Sequence, residues 1–283
     1  LSWKRSERLI DMTHYLLNHP NSLIPLSFFS KRYNAAKSSI SEDLGILKST
    51  FEQQGFGRIV TLPGAAGGVK FFVETGIPQD LSFVRRLCEL LADPARILPG
   101  GYLYLADIIG DPNVMDQIGR MFASFFNDRP IDAVMTIATK GIPIAHATAK
   151  YLNVPFVVVR RDYKITEGPT VSINYLSGST KRIQTMVLAK RSLHSGSRVL
   201  IVDDFMKAGG TINGMISLLE EFGAILAGIG VLVETEGVEH RLVDEYISIV
   251  KLTGVDVETK RIDVEEGNYF QKKQQKPSRN SLR

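Results

Sequence analysis

The run Val199-Leu200-Ile201-Val202-Asp203-Asp204-Phe205-Met206-Lys207-Ala208-Gly209-Gly210-Thr211 decides how this chain of 283 residues folds. Four aliphatic residues lead into two adjacent carboxylates and a Gly-Gly-Thr turn, and Met215, Ile216, Leu218, Leu219 and Phe222 then recur at helical spacing. The pattern is a buried strand feeding a loop and the start of a helix. At the carboxyl end of such a strand, the amides of a glycine loop and of a helix N-terminus offer positive dipoles to a phosphate. Paired carboxylates repel phosphate but accept hydrogen bonds from a cis-diol, so a ligand carrying both a ribose and a 5′-phosphate matches the pairing. A plain surface Asp-Asp turn is the competing reading, and the strand-loop-helix context argues against it.

Working outward from that run, apolar strands alternate with helices. Ala133–Ala138 and Val154–Val159 read as strands, with a helix near Ile142 to Leu152 between them. This alternation predicts an α/β fold with a mostly parallel sheet and ligands outside the carboxyl ends of its strands. A second glycine joint, Ala138-Thr139-Lys140-Gly141-Ile142-Pro143, again links strand to helix. Further upstream, a helix over Leu81 to Leu91 and the Pro99-Gly100-Gly101 turn mark a junction between domains.

The first 74 residues have a different texture. Leu9, Ile10, Met12, Leu16 and Leu17 predict a helix from about residue 4 to His19, stopped by Pro20, and a short helix follows from Pro25 to Tyr33. In the third helix Ile40, Leu44, Leu47 and Phe51 share one face, and Ser39 and Glu42 are spaced like a capping box. The opposite face carries Lys37, Ser38 and Ser41. Two β-rich runs, Gly57–Leu62 and Val69–Val73, flank Pro63–Gly68 and read as a hairpin. That glycine-rich tip has no helix start behind it and no GxxxxGK[ST] spacing, so it reads as a turn and not a phosphate loop.

Three helices and a hairpin resemble a winged helix-turn-helix, in which the last helix enters the DNA major groove and the wing touches the backbone or minor groove. The resemblance implies that Lys37, Ser38, Ser39 and Ser41 face DNA, that Arg58 and Lys70 flank the wing, and that Lys4, Arg5 and Arg8 add phosphate contacts. A small helical domain serving oligomerisation is the alternative.

Charge is uneven along the chain, whose formal net value is +4. Residues 1–74 hold nine Lys/Arg against six Asp/Glu, residues 75–270 twenty against twenty-four, and residues 271–283 five against none. Basic ends favour polyanionic partners, and a dimer would double the modest charge of the first segment. The last stretch is polar and low in complexity and reads as a disordered tail. No apolar run approaches membrane-spanning length, so a soluble cytoplasmic protein is expected. Cys88 is the single cysteine and the five histidines are scattered, which leaves no metal-ligand spacing.

The 199–211 run resembles the phosphoribosyl-pyrophosphate (PRPP) motif of type I phosphoribosyltransferases. The resemblance implies that Asp203 and Asp204 hold the ribose hydroxyls, and that Phe205, Met206, Lys207, Ala208, Gly209, Gly210 and Thr211 complete the site with the 5′-phosphate loop. Ala208 departs from the threonine or serine usual in those enzymes, so one phosphate-binding hydroxyl is missing. By the same resemblance Ala138, Thr139, Lys140 and Gly141 would hold the diphosphate, assisted by Mg²⁺. Tyr102 and Tyr104 precede the first sheet strand, where the family builds a hood over the base, and Tyr102 or Phe205 could stack on a purine. The basic stretch between Arg160 and Arg198 corresponds to the family's mobile loop and could be a lid, a DNA-facing patch or both.

The two halves together resemble the purine operon repressors of Gram-positive bacteria, with the second half most similar to xanthine phosphoribosyltransferases. That implies a winged-helix DNA-binding domain over 1–74, a PRPP-binding domain over 75–270, and a basic tail over 271–283. It also implies a homodimer that represses purine synthesis and transport genes, with PRPP as inducer and no transferase activity. An active purine phosphoribosyltransferase with an accessory domain is the alternative. A guanine nucleotide such as guanosine tetraphosphate is a candidate competitor for the pocket.

Overall fold

The computed structural model describes residues 3–64, 67–176, 183–238 and 240–276. Helical apolar spacing organises the N-terminal part around one small core. In order come α1 (Arg5–Asn18), β1 (Leu23–Ile24), α2 (Leu26–Tyr33), α3 (Lys37–Gln54), β2 (Arg58–Leu62) and β3 (Gly68–Phe72). Met12, Leu16, Phe29, Ile40, Leu44, Leu47 and Phe51 meet Ile59, Val69 and Phe71 of the hairpin. The strands pair antiparallel in the order β1-β3-β2, which completes a winged helix. Ser39 and Glu42 are not a capping box, because α3 starts earlier, at Lys37, and places both inside the helix. Residues 65 and 66 of the expected wing tip lie outside the described residues.

A linking helix, α4 (Ile77–Leu91), begins four residues earlier than its apolar pattern suggested, with Pro78 in its first turn. Two two-residue strands, β4 (Ile97–Leu98) and β5 (Tyr102–Leu103), form a small hairpin, and α5 (Ala106–Gly110) and α6 (Pro112–Phe126) follow. The main sheet then runs through β6 (Ala133–Ile137), α7 (Gly141–Leu152), β7 (Phe156–Val159), the hairpin β8 (Thr170–Leu176) and β9 (Ile183–Ala189), β10 (Arg198–Met206), α8 (Gly210–Glu221), β11 (Ile225–Thr235), β12 (Ile247–Asp256) and β13 (Arg261–Glu266). Strand order is β13-β12-β11-β10-β6-β7, parallel except for the β12–β13 pair. Along β10, Leu200 and Val202 join the core on one face while Val199 and Ile201 join the other, as the two-residue period of a strand requires.

The connection from β6 turns one way to β7, and the connection from β10 turns the other way to β11, so a crevice opens between the carboxyl ends of β6 and β10. Such a switch point is where open α/β sheets bind ligands.

The first residues of the basic end, 271–276, are a correction. Residues 269–275 form a helix, α9 (Tyr269–Gln275), not a disordered tail. The Lys273 ammonium donates to Asp80 Oδ2 at 2.9 Å and to the Thr75 carbonyl at 2.8 Å, and Lys276 donates to the Phe125 carbonyl and to Asp128. Asp80 is fully buried and also accepts from Thr75 Oγ1 and the Tyr269 hydroxyl. These lysines offset a charge that would be costly to bury alone, and in doing so they tie the chain end to the domain junction. Residues 277–283 lie outside the described residues.

Candidate functional site

The crevice is a cavity of about 670 Å³. β10 delivers its carboxylates there by running further than its apolar core suggested: Asp203, Asp204, Phe205 and Met206 are strand residues, with Asp203 opposite Val231 and Phe205 opposite Val233. Lys207 and Ala208 then turn, and Gly209, at φ +81°, caps α8 in a conformation that side-chain-bearing residues rarely take. Asp203, Asp204, Phe205, Met206, Lys207, Ala208, Gly209, Gly210 and Thr211 all line the cavity. Across from them stand Ala138, Thr139 and Lys140 at the end of β6, with a cis peptide between Ala138 and Thr139. Gly141 opens α7 beneath, and a Cβ added to it would stand 3.2 Å from Asp203 Oδ1. Two helix N-termini therefore face one cavity, a favourable arrangement for a multiply charged anion.

The two carboxylates differ. Asp203 is 3% exposed, and burial first, then repulsion from Asp204, raises its pKa well above the ordinary carboxylate range. The Asp204 N–H donates to Asp203 Oδ1 at 3.0 Å and partly opposes that rise. Asp204 is also raised by burial, but Asp203, Lys140 and Arg161 act to lower it. The pair therefore holds a proton more readily than two free carboxylates would, and Asp204 is the better anion.

Tyr102, 63% exposed, rims the cavity beside Gly100 and Gly101, whereas Tyr104 is outside it. Arg161 also lines the cavity. Within the basic 160–198 stretch it alone reaches this wall among the described residues, and nothing in its neighbourhood, Arg160-Arg161-Asp162, marks it apart from Arg160. Arg160 instead donates to Glu167 at 3.0 Å. Thr235–Val238 and Leu252–Val255 make the remaining wall. They carry no motif, so only the sheet order could find them. Among the described residues no group of three or more His, Cys, Asp or Glu side chains could hold a metal ion by itself. Cys88 is half-buried and its thiol is pushed up to about 11 by burial, which makes it a packing residue.

The residues expected at DNA separate into two groups. Lys4, Lys37, Ser38 and Ser41 are exposed, and Lys48 and Ser49 extend the same side of α3 by further turns. Ser39 is partly buried. Arg8 is engaged within the domain: its Nε donates to Asp43 Oδ2 at 2.8 Å, while Arg5 Nε donates to Oδ1 at 2.9 Å. Asp43 is fully buried, so the two arginines brace α1 against α3; Arg5 is half exposed and Arg8 nearly covered. Arg58 is likewise engaged, donating to Glu74 at 2.9 Å with its guanidinium 5.1 Å from the Phe72 ring. Lys70 approaches the same ring at 4.9 Å, and burial lowers its pKa.

A winged helix carried on a domain with a phosphoribosyltransferase-type sheet and phosphate loop defines a two-domain regulator class. Family models agree with both parts: one for the N-terminal domain of the bacterial purine repressor matches residues 4–73, and one for the phosphoribosyl transferase domain matches residues 106–266. The chain is 62% identical over 270 residues to the purine biosynthesis transcriptional repressor PurR of Bacillus subtilis (strain 168), covering 95% of each. It is 51% identical to the purine biosynthesis transcriptional activator PurR of Lactococcus lactis subsp. lactis, covering 95% of this chain and 100% of that one. A xanthine phosphoribosyltransferase of Clostridium tetani is 33% identical over 128 residues, 44% of this chain and 67% of the enzyme. Among solved structures, adenine phosphoribosyltransferase from Thermoanaerobacter pseudethanolicus aligns with a TM-score of 0.51 at 24% identity over 59% of this chain and 98% of that one, a likeness of fold. The chain belongs to the bacterial purine repressor family.

Proposed function

We propose that the protein represses purine synthesis and transport genes as a homodimer in the cytoplasm, and that PRPP bound at the 203–211 pocket lowers its affinity for DNA. The observation that carries this reading is the joining, in one cavity, of an acid pair, Asp203 buried and Asp204 partly so, with two helix N-termini and the cations Lys140, Lys207 and Arg161. The acid pair suits the ribose diol, the α8 turn the 5′-phosphate, and the α7 turn with Lys140 and Arg161 the diphosphate. Of the acidic residues lining the cavity, Asp203 and Asp204 are adjacent while Glu236, on another wall, pairs with Lys251 at 2.6 Å, and no group of three among the described residues could hold a metal ion, so Mg²⁺ fits as an ion brought in on the diphosphate oxygens.

Coupling has a physical route. α7 starts at the diphosphate loop and ends against the winged helix, where Asn21 Nδ2 donates to the Leu152 carbonyl at 2.8 Å and Asn153 Nδ2 donates to Ser22 Oγ at 2.7 Å. Tyr151 packs against both cores. A ligand that shifts the start of α7 therefore acts on the seat of the DNA-binding domain, and linkage makes DNA weaken the ligand by the same factor. Competition between ligand and DNA phosphates for the basic loops is the other route.

Repression follows the more similar Bacillus relative, and a reporter behind the control region fixes the sign. The test is fluorescence anisotropy on a purine-operon control region and a scrambled duplex, at fixed salt, with and without Mg-PRPP. Specific binding that PRPP weakens is expected, and guanosine tetraphosphate should restore it by competing for the cavity. Binding without preference for the control region, or without a PRPP response, would overturn the reading. The complete cavity keeps one alternative in play, an active purine transferase. Nucleotide formed at multiple turnovers from PRPP and xanthine, guanine or hypoxanthine would establish it; none is expected.

A further inference from the structure

The phosphate loop does not stand alone. The Leu242 N–H donates to the Ala208 carbonyl at 2.9 Å, and Val243 lies beneath Gly209, where an added Cβ would stand 3.0 Å from Val243 Cγ2. Leu242 and Val243 belong to the connection between β11 and β12, whose described residues form no regular secondary structure. The last residue of β11, Thr235, and the start of the same connection, Glu236–Val238, form a wall of the cavity. A segment without a hydrogen-bond ladder thus carries one wall of the pocket and supports another.

Arg241 gives this segment its shape. One guanidinium nitrogen donates to the Glu234 carboxylate and to the Tyr246 hydroxyl, and the other donates to the Thr235 carbonyl at 2.5 Å. Glu234 is 5% exposed and accepts in addition from the Tyr246 hydroxyl and Ser248 Oγ, each at 2.5 Å. Burial works to raise the Glu234 pKa, but the hydrogen bonds from Ser248, Tyr246 and Arg241 outweigh it and leave the carboxyl below its ordinary range. Arg241 therefore staples both ends of the connection, residues 234–235 and 246, to each other. It does not line the cavity itself, so any effect it has on a ligand passes through the loop it holds.

We propose that Arg241 is a positioning residue for the phosphate loop, fixing through Leu242 and Val243 the shape of Ala208 and Gly209 that receives the ligand's 5′-phosphate. The inference rests on the ligand reading above and deepens it. Thr139, Lys140 and the start of α7 follow β6, which β10 separates from β11 and its staple, so the diphosphate half of the site should not depend on it. The two halves can be probed separately.

The experiment is calorimetric titration of the full-length protein with ribose 5-phosphate and, separately, with inorganic pyrophosphate and Mg²⁺, using wild type, Arg241→Ala, Arg241→Lys and Leu242→Pro. Arg241→Ala should weaken ribose 5-phosphate roughly tenfold, the size expected when a buried charged hydrogen bond is lost, and shift pyrophosphate affinity less than twofold. Arg241→Lys should recover part of the loss, because it keeps a donor for Glu234 but not the fork to Thr235. Leu242→Pro removes the donor to Ala208 while keeping the Arg241 side chain, though it also restricts the Arg241 backbone, and should reproduce the selective loss. Equal affinities for wild type and variants, or equal losses for both probes, overturn the proposal; a variant that melts early and loses both probes counts in the second group. Wild type that binds neither probe overturns the ligand reading itself, and the inference with it.

Discussion

The outer face of α3 and the 203–211 loop are both read as meeting phosphate, and they are built in opposite ways. The helix face is convex, and its reach depends on side chains such as Lys37 and Lys48 that extend into solvent. The loop is concave, and its main donors are backbone amides at two helix starts, with cations only at the rim. Around that face a residue's charge says little until its partners are known: Arg8 of α1 is engaged by Asp43 and Arg58 of β2 by Glu74. In the concave site the backbone conformation is itself the feature read as binding, with Gly209 at φ +81° turning the chain into α8. Phosphate recognition by side chains is a matter of availability; recognition by amides is a matter of geometry.

The strongest way to break this comparison is at the acid pair. Asp203→Ala should weaken PRPP roughly a hundredfold, since hydrogen bonds from the ribose to the acid pair are lost, while operator affinity without ligand stays as in wild type. Parallel loss of DNA binding, read by anisotropy, would mean that the two sites are not separately built.

Next in size is the contrast between Arg8 and Lys37. Arg8→Ala leaves the buried Asp43 with Arg5 alone and should cost about 2 kcal/mol of stability, less than a buried pair broken outright because one partner stays. Thermal melting reads it. Lys37→Ala should leave the melting temperature unchanged but lower DNA affinity and reduce the slope of log K against log salt by about one. Exchanged outcomes would place Arg8 on DNA and Lys37 in the scaffold.

The raised Asp203 pKa gives a smaller, pH-dependent effect. In the folded, ligand-free protein Asp203 holds its proton above the ordinary value of 3.8, whereas in the unfolded chain it does not. The folded state therefore binds more protons across that window, and stability falls as pH rises from the ordinary value through the raised one. Asp203→Asn should flatten this fall and melt higher than wild type at neutral pH and above. A wild-type curve no steeper than the variant's would show that the pair is ionised without penalty. The smallest expected change is Ala208→Ser, which supplies the hydroxyl that enzymes of the fold usually carry. It should tighten ribose 5-phosphate about fivefold, and no gain by titration would mean that the loop amides already saturate the phosphate.

Much of the candidate site is legible in the sequence, and the reason is local. The 199–211 run announces strand, acid pair, loop and helix within thirteen residues, and the 138–141 joint repeats the pattern. The boundaries are less legible. β10 continues through Met206 because Asp203, Phe205 and Met206 are paired with β11, and no property of Asp-Asp announces that pairing. The wall at 235–238 and 252–255 belongs to no recognisable motif and is brought in by strands that follow in sheet order. The stretch at 271–276 misleads because Gln- and Lys-rich composition suits disorder, yet Asp80 and Thr75, nearly two hundred residues earlier, provide Lys273 with partners.

By itself the sequence determined the repeating features: the helical face of Ile40, Leu44, Leu47 and Phe51, the two-sided strand at 199–202, and the glycine turn at 209–210. Each depends on backbone periods and conformational limits that act over a few residues. Only the tertiary structure decided which charges are free and which walls close the pocket. Arg8 finds Asp43 thirty-five residues away and Arg161 reaches the cavity while Arg160 does not. The staple at Arg241 matters only because the chain folds back on Ala208. Electrostatic and steric partnership depend on distance through space, and that distance does not exist until the sheet has set its order.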